Sequence, residues 1–141
     1  MGLDAVVYRN REHVEMGRDG EHAIVIPETG EVYFEDDRLA RKYDHKRKAV
    51  EHRLGNISAA AELCDEVTRL IGPESMTVQR ILYSGTHGGD TIPLSDLPEL
   101  SAELHVIRRS GRASAHLHQL VGALEELIQA AKEEANPIVF V

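Results

Sequence analysis

Apolar residues recur along this chain with two different periods, and the alternation between them sets the expected elements. Leu3 to Tyr8 is short, β-branched and apolar, and predicts a first strand. Arg9 to Glu21 is polar, carries two glycines and shows no helical stripe, so a loop is expected there. Two strand-like runs, Ala23-Ile24-Val25-Ile26 and Glu31-Val32-Tyr33-Phe34, flank Pro27-Glu28-Thr29-Gly30 and predict a β-hairpin. Between Asp36 and Arg53 the apolar residues thin to Leu39, Tyr43 and Val50. That spacing predicts two short helical pieces around a basic junction, the second ended by Gly55.

The helical period is clearest in three later segments. Ile57, Ala60, Ala61, Cys64, Val67, Leu70 and Ile71 lie on one face of a helix over 57–71, with Asn56 as its cap and Gly72-Pro73 as its stop. Leu97, Leu100, Leu104 and Ile107 stripe a helix over 94–109. Ser95 or Asp96 is expected to cap it, and Asp96-x-x-Glu99 has capping-box spacing. Leu117, Leu120, Val121, Leu124, Leu127, Ile128 and Ala131 stripe a longer one from about Ala113 to Glu134. Met76 to Tyr83 alternates imperfectly and is read as a strand for its β-branched content. Ile138 to Val141 closes the chain as an apolar strand that must pair in the sheet or be lent to a partner. The order predicts a single α+β domain over 1–141. Its mixed sheet of about four to five strands is covered mainly on one face by three amphipathic helices.

Composition narrows the class. At 141 residues, with 42% hydrophobic and 28% charged residues, the chain is long enough to bury one core. With only 4% aromatic residues, that core must be mainly Leu, Ile, Val and Ala. A net charge of −8 argues against general nucleic-acid binding, because phosphate contacts need Lys and Arg. The bases concentrate between Arg38 and Arg53, leaving the remainder more acidic and suited to a basic partner. A lone cysteine, Cys64, forms no internal disulfide, suits a reducing compartment and falls on a buried stripe rather than at a reactive site. No apolar run approaches the roughly 20 residues of a membrane span, so a cytoplasmic location without membrane partners is expected.

The candidate chemistry gathers in one loop, Tyr83 to Leu94, which holds Gly85, Gly88 and Gly89 together with Thr86, His87 and Asp90. Tyr83, Thr86, His87 and Asp90 are the candidate binding residues. His87 and Asp90 are metal-ligating types, but a site needs three or four ligands and this loop supplies two. His116-x-His118 does not complete it, since i and i+2 diverge by roughly 200° on a helix. His105, flanking its helix's stripe, could reach the loop only if that helix folds back. Ser84, Thr86, His87 and Asp90 contain the atoms of a hydroxyl–His–carboxylate relay, yet neighbours in one loop seldom attain triad geometry. The glycines are out of register for a dinucleotide fingerprint, and no phosphate-binding or nucleophile-elbow motif is present. An anion at the loop amides, with charge from Arg108, Arg109 or Arg112, is a further possibility. Against all of these stands a purely architectural loop, tied by Asp90 and Thr91, with His87 as a packing residue. No catalytic residue and no cofactor is assigned.

The start Met1-Gly2-Leu3-Asp4-Ala5-Val6-Val7-Tyr8 and the run Tyr83 to Leu100 resemble a family of small uncharacterised bacterial proteins. The local pattern of His, small residues, Gly-Asp, an apolar residue, Pro and a Leu-rich helix is similar to that in some bacterial proteins described as toxin-immunity proteins. Neither resemblance implies catalytic residues. Together they imply a bacterial cytosolic protein with a binding role, acting on a protein partner or as a homodimer, possibilities set against a small-ligand or metal-dependent enzyme centred on the loop.

Overall fold

The computed structural model describes residues 2–141. Its α+β architecture rests on a four-stranded sheet in the order β4-β1-β6-β5, with β1 at Gly2–Tyr8, β4 at Lys48–Asn56, β5 at Thr91–Ile92 and β6 at Ile138–Phe140. Every pairing in it is antiparallel, where a mixed sheet was expected. A separate small hairpin joins β2 (Ile24–Val25) to β3 (Val32–Tyr33), as the sequence predicts.

Alternation along β1 divides the core. Leu3, Ala5 and Val7 join Ile138 and Phe140 under the helices, whereas Val6, Tyr8 and Val139 form a buried patch of their own. The main core is completed by α2 (Ile57–Ile71), α3 (Leu97–Arg109) and α4 (Ala115–Glu134). Burying 35 hydrophobic side chains, 25 of them in this main core, supplies the dominant driving force of folding. A second, smaller cluster of Val14, Met16, Val32, Phe34, Leu39 and Tyr43 lies between the hairpin and α1 (Asp37–Tyr43). Asp36 caps α1 by accepting from the amides of Arg38 and Leu39.

Four further expectations need correction. The second helical piece of the basic region is a strand: Lys48–Asn56 runs antiparallel to β1 as a sheet edge, with irregularities opposite Leu3/Asp4 and Val7/Tyr8. Its mixture of charged and apolar residues is that of an edge half in water, and charges and bulges there discourage pairing with other chains. Met76 to Tyr83 is not a strand but a π-helical turn over Thr77–Leu82. Thr77, Val78, Ile81 and Leu82 are buried while Gln79 and Tyr83 are exposed, a helical spacing that overrides β propensity. The α2 stripe is rotated: Ala60, Leu63 and Val67 are buried, and Ile57 and Ala61 face outward. The expected capping box of α3 is absent, because Asp96 turns to Arg80 instead of the helix amides.

Arg9 to Glu21 carries two 3-10 turns, Arg11–His13 and Gly17–His22. Asn56 caps α2 by accepting from Ala59 N at 2.8 Å, and Ser114 caps α4 by accepting from Leu117 N at 3.1 Å. The terminal strand β6 pairs within the chain between β1 and β5.

Candidate functional site

The loop leaves the π-helical turn at Tyr83 and returns to the sheet at β5. Two backbone bonds fasten it to the end of β6: Gly89 N donates to Phe140 O at 2.7 Å, and Phe140 N donates to Asp90 O at 2.9 Å. Gly89 has φ +96°, a conformation that disfavours any side chain. Gly85 is required for a different reason: a Cβ there would sit 2.6 Å from Ile57 Cα, so the loop backbone lies directly on the start of α2. Ser84 Oγ donates to Thr86 O at 2.8 Å and accepts from Thr86 N at 3.2 Å, closing a local turn.

His87 is the buried centre of this arrangement, its side chain only 4% exposed. The ring stacks on Tyr83 with centroids 4.6 Å apart and meets Phe140 at 4.4 Å and a 53° tilt. Nε2 lies 2.8 Å from Ile81 O, and because a carbonyl only accepts, Nε2 carries the proton. Nδ1 is 3.2 Å from Asp90 Oδ2 but is not aligned for a hydrogen bond and has no partner among the described residues. Asp90 accepts instead from the Tyr83 hydroxyl. That hydrogen bond, then partial burial, then the Asp90 charge hold the Tyr83 phenol above the ordinary tyrosine range.

Of the four candidate residues, Tyr83, His87 and Asp90 are therefore in mutual contact, and Thr86 is exposed beside them. Tyr83 and Asp90 also border an open cleft of about 300 Å3 with Gln79, Arg80 and Thr91, which neither Thr86 nor His87 lines. Arg80 is committed there to Asp96 and, at 3.0 Å, to Thr91 O. No cluster of three or more His, Cys, Asp or Glu residues placed to hold a metal ion occurs among the described residues. His105, His116 and His118 are exposed on α3 and α4, and Arg108 pairs with Glu125 at 2.7 Å.

Beside the exposed candidate Tyr83, the surface next to the loop holds two residues, Ile57 and Val141, that the sequence pattern did not single out for binding. Ile57 is 53% exposed, Tyr83 51% and Val141 50%. Gly85 approaches Ile57, and Gly88 approaches Val141. Ile57 falls at a core-facing position of the expected α2 stripe, so only its place one residue after the cap hinted at an outward side chain. No helix among the described residues is long and apolar enough to cross a membrane. Neither family models, curated proteins nor solved structures match this chain.

Proposed function

We propose that this chain is a noncatalytic cytosolic binding protein that works through protein–protein contact at the Tyr83–Leu94 loop. One observation carries the reading. His87 is spent on packing, while Tyr83 stands half exposed over it, with exposed Ile57 and Val141 beside the same loop. Tyrosine is among the side chains that most often anchor interfaces, and a ring already stacked on its support loses little freedom on binding. The acidic balance of the chain suits a basic partner, and an inhibitor of the toxin-immunity kind is one form of such contact. Self-association is the other. Light scattering across a concentration series, with pull-downs from a bacterial lysate, tests the reading with Tyr83→Ala and Ile57→Asp. Loss of a dimer or of a captured partner in both variants is expected. A strict monomer that captures nothing overturns it.

A second reading, a small-ligand site or enzyme, is favoured by the polar cleft that Tyr83 and Asp90 share with Arg80. It needs groups free to act, whereas Asp90 already accepts from Tyr83 and Arg80 is held by Asp96. Ligand-dependent chemical shifts at Arg80 and Thr91 that vanish in Asp90→Asn would favour this reading over the first.

A further inference from the structure

Three arginines among the described residues are half-buried rather than exposed: Arg9, Arg47 and Arg80. Two of them have carboxylates, Arg47 with Glu31 and Asp44 and Arg80 with Asp96. Arg9 has none among the described residues, and its Nε, like that of Arg47, is buried without a hydrogen-bond partner. A half-buried guanidinium N–H left unmatched is costly and calls for an acceptor. Arg9 lines an open cleft of about 450 Å3 together with His13, Val14, Glu15 and Lys46. Lys46 also lacks a carboxylate partner among the described residues, and its ammonium stands 5.5 Å from the Tyr43 ring centroid.

The walls of the cleft are fixed from behind. Arg9 N donates to Arg47 O at 2.7 Å, so the chain is anchored as it leaves β1. Asn10 Nδ2 donates to Glu134 O at 3.0 Å, and His13 Nδ1 is 2.5 Å from Glu134 Oε2. These contacts dock the first 3-10 turn on the end of α4. The cleft thus presents two unpaired cations against one exposed acid, Glu15, in a chain whose net charge is −8.

We propose that this cleft binds the oxyanion group, phosphate or carboxylate, of a small ligand, with the Arg9 guanidinium as the principal donor and Lys46 as the second charge. A planar guanidinium matches either group with two parallel hydrogen bonds, and the ammonium adds a point charge. The site lies on other residues than the protein-contact surface and does not depend on it.

Titration of the full chain with inorganic phosphate and separately with succinate, at matched chloride, tests this by NMR at the Arg9, His13 and Lys46 resonances. Saturable shifts with either probe support the site, and the tighter probe identifies the group. Arg9→Gln is expected to weaken binding about tenfold or more, and Lys46→Gln about threefold. The absence of saturable shifts with both probes overturns the proposal, as does unchanged affinity in a folded Arg9→Gln. Should Arg9→Gln fail to fold, the exposed Lys46→Gln decides: weakened binding supports the site and unchanged affinity overturns it.

Discussion

Glu103 and Thr77 share two hydrogen bonds, from the Thr77 amide and from its hydroxyl to the same Oε1, both 2.8 Å long. The other oxygen, Oε2, accepts from Met76 N, also at 2.8 Å. A carboxylate from α3 thus satisfies the first amides of the π-helical turn, where unmatched donors and the positive end of the helix dipole favour an anion. Glu103→Ala is expected to cost about 2–3 kcal/mol, since it leaves buried donors unmatched. Glu103→Gln should cost less, because its single carbonyl still accepts. Urea denaturation with an unchanged slope checks the ranking, and equal losses in the two variants would refute it.

Gly85 packs against the backbone of Ile57. Gly85→Ala forces the loop off α2 and is expected to destabilise by about 1–3 kcal/mol, as overpacking does elsewhere. Thermal unfolding measures this, and a neutral substitution would show that the loop yields freely.

His87 fills the space between Tyr83 and Phe140 and satisfies Ile81 O. His87→Ala removes a buried ring and orphans that carbonyl, for an expected loss of about 3 kcal/mol or more. Tyr83→Ala, at a half-exposed position, should cost clearly less stability while abolishing partner contact. The reverse ranking in denaturant melts would overturn the assignment of His87 to packing.

The phenol of Tyr83 is raised by its hydrogen bond to Asp90. Its folded value lies above the unfolded one, so the stabilisation is fully present below the ordinary tyrosine pKa of about 10 and is lost as pH rises through the folded value. In an ultraviolet titration of the phenolate band, Asp90→Asn should bring one tyrosine midpoint down. An unmoved midpoint would mean that the contact does not persist in solution.

Glu134 anchors His13 and Asn10 from the last turn of α4. Glu134→Ala is expected to cost about 1–3 kcal/mol and to release the Arg11–His13 turn first. Hydrogen exchange would show this as lost protection at His13 and Val14 with β1 unaffected. Protection that falls equally across β1 would contradict it.

What could be read from the sequence were elements whose burial follows local spacing. The bounds of α2 coincide with the expected Ile57–Ile71, and Asn56 caps it as its type suggests. The hairpin pair Ile24 and Tyr33 also falls within the expected strands. Misread segments take their structure from distant residues. Lys48–Asn56 is a strand because β1 offers it an edge, and Thr77–Leu82 is helical with Glu103 waiting at its start. The contacts Tyr83–His87–Asp90 are local and were within reach of the sequence. The burial of His87 depends on Phe140, and the isolation of Arg9 on every carboxylate that folds elsewhere; neither is encoded nearby.

β6 lies between β1 and β5, and Ala5 pairs with Phe140 from the far end of the described chain. Nearly all of this segment must therefore leave the ribosome before the middle of the sheet can form. Until then β1 and β4 can pair only as a two-stranded ribbon, and the loop around His87 lacks the backbone to which it is fastened. Pairing over so long a separation makes for slow closure and a lengthy exposure of unpaired strand edges. A chain cut just before Ile138 would forfeit the attachment of β5 and the seat of His87 together, losing far more than three residues of strand.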